Sequence, residues 1–129
     1  MMRAKRTGEK SGGIQRESRK FPRRPIELPI LYTFIGNITT YGGETGNISE
    51  GGLLVHLKET LWEGMKVKIE IFPPDLFGLK PIKAVTQIVW APAHQGEDWN
   101  EFLQHGLEFI EIDNKNSLKL KRLLKYIEG

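Results

Sequence analysis

The 129 residues contain no cysteine. That excludes a disulfide framework and thiolate metal ligation, and it fits a reducing compartment such as the cytoplasm. No apolar run approaches the roughly 20 residues that a membrane-spanning helix needs. The basic start Met1-Met2-Arg3-Ala4-Lys5-Arg6 is not followed by the apolar stretch of a secretory signal. Only three histidines occur, His56, His94 and His105, and their scatter lacks the H-E-x-x-H type of spacing, so no metal site is expected. There is no nucleophile elbow, Walker loop, dinucleotide fingerprint or ribonucleoprotein-type aromatic motif. Asp98 and Glu101 share a polar loop, where carboxylates are usually just solvated. The sequence makes no case for an enzyme and contains no internal repeat.

What is present suffices for one domain and is too short for two comfortable ones. Charge is unevenly spread. Residues 1–24 hold nine basic and two acidic residues, a net of +7, which leaves −4 for the rest of a chain whose total is +3. A basic arm on a mildly acidic body favours an anionic partner without saying which. Residues 1–18 read as a flexible basic tail, because Ile14 is the one large branched apolar side chain among them and offers little to offset the entropy of ordering. Residues 19–129 read as the folded domain.

From Pro25 onward the pattern becomes strand-like. Ile26, Leu28, Ile30, Tyr32 and Phe34 or Ile35 give an alternating pattern suited to a half-buried strand, with Pro25 and Pro29 implying an edge or a bulge. Gly42-Gly43 reads as a turn before a short strand from Glu44 to Ser49. Further strands are expected at Leu53–Leu57, Met65–Phe72, Ile82–Trp90 and Gln104–Ile110, with a loop over 93–101. Trp90, Trp99, Phe102 and Phe109 read as core or loop anchors. Short strands without interleaved helices argue an antiparallel barrel or sandwich. The end differs: Asp113 or Asn114 can cap a helix with Leu120, Leu123, Leu124 and Ile127 on one face, and Lys119, Lys121, Arg122 and Lys125 mainly on the other.

Two motifs carry chemistry. In Arg19-Lys20-Phe21-Pro22-Arg23, two arginines stand four apart, and on an extended backbone such residues project to the same side. A guanidinium fork donates two hydrogen bonds to a phosphate or to the O6/N7 edge of guanine. The plainer reading is a solvated basic tail. In Asn47-Ile48-Ser49-Glu50-Gly51-Gly52, the Asn47 amide can donate and accept at once. Ser49, two residues on along the same strand face, adds a hydroxyl, and Gly52 lets the backbone turn or a ligand come close. The plainer reading is a simple turn.

Taken together and in this order, the R-x-x-x-R arm and the N-x-S-x-x-G turn resemble those of the PilZ domain, a bacterial receptor module for cyclic di-GMP. Pro25–Ile30 directly after the arm, Gly51-Gly52-Leu53, Ile88-Val89-Trp90, Gly106-Leu107-Glu108-Phe109 and the C-terminal amphipathic helix also sit where that family has similar segments. The resemblance covers roughly residue 16 to the end. It implies an all-β fold: a six-stranded antiparallel Greek-key-type β-barrel with a C-terminal α-helix. It implies that Arg19 and Arg23 bind phosphate and guanine, that Asn47, Ser49 and Gly52 form the guanine-facing surface, and that Arg16 and Lys20 lend further contacts. Asn47 takes a place often held by Asp and forgoes its negative charge.

The expected protein is a cyclic di-GMP receptor that needs no cofactor or metal and orders its arm over the ligand. With no output domain in these 129 residues, the signal would leave through an unidentified protein partner or a change of oligomeric state, such as a homodimer. Motility or biofilm regulation is the setting the resemblance implies. Two alternatives stay open: a nucleotide-independent adaptor acting by protein contacts, which the intact motifs count against, and, less favoured, a small basic-armed RNA- or DNA-binding barrel.

Overall fold

The computed structural model describes residues 24–92 and 102–128. The chain runs β1 (Arg24–Pro25), β2 (Pro29–Phe34), β3 (Tyr41–Ile48), β4 (Gly52–Leu57), β5 (Lys66–Ile71), a short 3-10 turn (Asp75–Phe77), β6 (Ile82–Trp90), β7 (Leu103–Glu111) and α1 (Asn114–Glu128). Six strands follow one another laterally as β3-β2-β5-β6-β7-β4, and β4 pairs back onto β3. All these pairings are antiparallel. The result is the expected closed six-stranded barrel with a C-terminal helix. Most neighbours in the ring are joined by direct connections, but β4 and β5 are not adjacent, which gives the Greek-key character.

The alternating pattern dictates which side of each strand turns inward. Ile30 and Tyr32 of β2, Leu53, Val55 and Leu57 of β4, Val67, Ile69 and Ile71 of β5, and Ile82 and Ile88 of β6 are all buried. Each such side chain contributes about 2 kcal/mol relative to exposure. Tyr32 also carries a hydroxyl inward, where it donates to the Glu59 carboxylate. Burial and that carboxylate together hold its pKa far above the ordinary phenol value.

The prolines break the first strand in two. β1 and β2 lie in line along β3, with Pro25 opposite Asn47 and Pro29 opposite Glu44. Across the gap, the fully buried Thr45 takes over the ladder. Its N–H donates to Leu28 O at 2.9 Å, its hydroxyl accepts the Leu28 N–H at 2.9 Å and donates to Ile26 O.

Gly42-Gly43 is not a turn. Both residues lie within β3, paired with Leu31 and Ile30. A Cβ on Gly43 would stand 2.6 Å from Leu57 Cδ2 and 3.0 Å from His56 O, so the glycine serves close packing rather than chain reversal. The reversal comes earlier, at Gly36 with φ +86°, where Asn37 Oδ1 accepts the N–H groups of Ile38 at 2.8 Å and Thr39 at 3.1 Å.

Asp113 caps α1. Its Oδ1 accepts the Asn116 backbone N–H at 2.8 Å and its Nδ2–H at 3.0 Å, and these bonds hold the carboxyl below its ordinary pKa. Asn116 Oδ1 accepts the Lys83 N–H at 2.9 Å, tying the helix start to β6. Leu120 and Leu123 are buried, and Leu124 and Ile127 pack partly against the same core. Among the described residues, no helix is long and apolar enough to cross a membrane.

Candidate functional site

The β3–β4 pairing contains one irregularity. Thr45 stands opposite Val55 and Asn47 opposite Leu54, so Gly46 is an extra residue on β3. The bulge resets the alternation: Thr45 and Ile48 are fully buried, while Gly46 and Asn47 between them are only partly covered. A Cβ on Gly46 would lie 2.9 Å from His56 Cε1. The small residue thus lets the His56 ring lie beside the bulge, and Asn47 is turned to the outer face of the barrel.

Asn47 Oδ1 is shielded from water and has no hydrogen-bond partner among the described residues. An enclosed amide oxygen without a donor costs about 1–3 kcal/mol.

Ser49 stands just past the end of β3 and is buried. Its hydroxyl accepts the N–H groups of Gly51 and Gly52 and donates to Gly52 O, each at 3.2 Å, and its own N–H donates to Gly52 O at 2.8 Å. The hydroxyl is spent on the turn that joins β3 to β4. Gly52 opens β4 opposite Glu108. A Cβ there would lie 2.1 Å from Leu107 O, so its missing side chain admits the β7 backbone. Phe109 N–H reaches back to Gly51 O at 2.9 Å. The two glycines and the serine form a rigid corner held against β7.

A lateral row on the outer face runs from this corner. Pro25 pairs with Asn47, Asn47 with Leu54, Leu54 with Gly106 and Gly106 with Trp90. Leu53, Val55, His105 and Leu107, the flanking residues of β4 and β7, are buried in the interior, so Leu54 and Gly106 belong to the outer face, where Leu54 is half-buried and Gly106 is covered. Trp90 leans over Gly106, whose Cβ would meet Trp90 Cβ at 3.2 Å, and is 49% exposed. Trp90 is therefore not a core anchor. A bulge between Ile88 and Trp90 leaves it on the surface, because the β6 alternation is reset before the strand ends. Phe102 is also exposed, with Lys58 Nζ 5.5 Å above its ring, while Phe109 does pack against the core.

Arg16, Arg19, Lys20 and Arg23 lie outside the described residues, as do Trp99 and the 93–101 loop. Among the described residues, no group of three His, Asp or Glu side chains is placed to hold a metal. His105 serves the fold: Nε2 accepts the Leu61 N–H at 3.0 Å, and Nδ1 lies 3.1 Å from Leu103 O.

The family model described as the PilZ domain matches residues 17–126. No curated protein sequence matches the chain. Among solved structures, the PilZ domain of YcgR from Escherichia coli, determined with cyclic di-GMP, superposes with a TM-score of 0.65 at 18% identity, covering 87% of this chain and 92% of that one. The PilZ domain of CeSA from a cellulose-synthesizing bacterium gives 0.61 at 15%, covering 84% and 99%. The Bacillus subtilis inhibitor of motility MotI/DgrA gives 0.64 at 20%, covering 87% of this chain and 50% of that one.

Proposed function

This chain belongs to the PilZ domain family, and on that premise we propose that it is a cytoplasmic cyclic di-GMP receptor, a binding module rather than a catalyst. The observation that carries the reading is the bulge at Gly46, which turns Asn47 to the outer face while its enclosed amide oxygen finds no hydrogen-bond partner among the described residues, so that a modest turn of the side chain would offer that oxygen to a ligand. Guanine supplies what is missing, since its N1–H and N2–H donate while its O6 accepts from the amide nitrogen. Ser49 and Gly52 act by holding the corner from which Asn47 projects. Leu54, Gly106 and Trp90 extend the same face, and the indole offers a flat surface for a base.

The arm enters from β1. Arg24 pairs with Ile48 and Pro25 with Asn47, so covalent continuity keeps Arg23 within one residue of this pairing. Arg19 is tethered within about 18 Å of it. In this reading Arg19 and Arg23 bind the phosphates and a guanine, and Arg16 and Lys20 add further positive charge. Charge-assisted bonds to the phosphates offset the entropy of fixing the arm. The bound arm then presents a new surface to a protein partner or a second copy of the chain. In this reading, residues 1–18 serve as a flexible tail and the domain begins at the arm.

Calorimetric titration with cyclic di-GMP tests the assignment, with cyclic di-AMP and GTP as controls. Selective saturable binding is expected, with a loss of about tenfold or more in Arg19→Ala and in Arg23→Ala at unchanged thermal stability. Equal binding by both variants would refute the arm model. No binding by the parent would leave a nucleotide-independent adaptor.

A further inference from the structure

Opposite charges are segregated between the barrel and its helix. α1 carries Lys115, Lys119, Lys121, Arg122 and Lys125 against Glu128 alone, a net of +4, whereas residues 25–113 net −8. Lys119 is committed, donating to Pro81 O at 3.0 Å. Lys121, Arg122 and Lys125 are exposed on the side away from the core.

Apolar groups stand among these cations. The β5–β6 connection runs beside the helix, and Phe77 stacks on Tyr126 with ring centroids 4.5 Å apart and planes 12° from parallel. Arg122 and Lys125 line the shallow cleft beside this pair with Leu79. Leu118 is 61% exposed and Tyr126 52%. Leu76, at the tip of the 3-10 turn, is 91% exposed. Its turn is stiffened by Pro73-Pro74 before it and closed by Gly78 at φ +67° after it. A fully projecting leucine on a rigid turn, next to a cationic helix face, needs a physical account that the nucleotide site does not supply.

We infer that this face docks on an anionic lipid surface. Charge complementarity favours a negatively charged partner. Shape favours a lipid surface over an acidic peptide, because a peptide needs a groove to seat its side chains, whereas here the apolar residue protrudes. A projecting leucine with a half-exposed tyrosine and flanking cations suits the boundary between headgroups and acyl chains, where a deformable medium receives the projection. The inference does not depend on the nucleotide reading, and the two faces involve different residues.

The test is co-sedimentation of the protein with vesicles of phosphatidylcholine containing about one-third phosphatidylglycerol, at about physiological salt, against vesicles of phosphatidylcholine alone. Binding to the anionic vesicles only is expected. Leu76→Ser and the double variant Arg122→Gln/Lys125→Gln should each weaken it about tenfold, with melting temperature and nucleotide titration unchanged. If Leu76→Ser lowers the melting temperature, Lys121→Gln/Lys125→Gln, wholly at the surface, carries the test. No binding to anionic vesicles overturns the proposal. So does binding that the variants leave intact, since the basic tail would then be responsible. An acidic peptide bound while vesicles are ignored would overturn it in favour of a protein partner.

Discussion

His105 and Leu61 are joined across the barrel: the imidazole Nε2 accepts the Leu61 N–H at 3.0 Å inside the protein, where the histidine is wholly buried. That bond requires an unprotonated Nε2, and burial holds the ring's pKa below its ordinary value despite the bonds to Leu103 and Leu61. The unfolded chain takes up the proton near about pH 6.5 and the folded one only lower. Stability is therefore fully present above that pH and is lost as pH falls through it. The urea midpoint should drop between about pH 7.5 and 5.5. In His105→Gln that part of the pH dependence should vanish, at a lower stability throughout.

Gly52→Ala should unfold the corner rather than merely weaken ligand contact. With the new Cβ at 2.1 Å from Leu107 O, the β4–β7 pairing must spread, at a cost of about 3 kcal/mol. A fall in melting temperature without ligand is the expected reading. Unchanged stability would mean that the corner gives way easily.

Thr45→Val keeps the shape and removes the hydroxyl that accepts the Leu28 N–H and donates to Ile26 O. Two backbone groups in the gap between β1 and β2 lose their partner. The loss should be about 2 kcal/mol in denaturant unfolding.

Under the proposed function, substitutions at Asn47 should separate binding from folding. Asn47→Ala removes an oxygen that has no partner among the described residues, so the free protein should be as stable as the parent or slightly more so, while cyclic di-GMP affinity should fall about tenfold. Asn47→Asp puts a charge opposite the guanine N1–H and N2–H and should bind several times more tightly, since bonds to charged acceptors are about twice as strong. Isothermal titration distinguishes the three proteins.

The sequence revealed the longer strands and the helix for local reasons. Alternation at Val67, Ile69 and Ile71 marks a half-buried strand, and Leu120, Leu123 and Ile127 with Asp113 mark a capped helix, because both patterns depend on near neighbours. Gly42-Gly43 misled because glycine permits a turn and also permits the Leu57 side chain to lie against the strand, and the second use depends on a residue 14 positions away. Ser49 was recognisable as a motif residue, yet its hydroxyl closes on Gly51 and Gly52 rather than lying along the strand face, since the strand ends one residue earlier. The row Asn47–Leu54–Gly106–Trp90 is formed by four strands. Nothing in the order of residues along one strand announces which others will lie beside it.

Ring closure has a kinetic consequence. The pairings from Leu57↔Leu103 to Gly52↔Glu108 join segments far apart in the chain, and such contacts form only after a large loop-closure entropy has been met. Leu54 comes from the first half of the chain, while Gly106 and Trp90 come from the second, so the surface beside Asn47 assembles only when β7 docks. A nascent chain still lacking that strand holds only the Asn47–Leu54 half of the row, so the continuous surface is a property of the finished barrel alone.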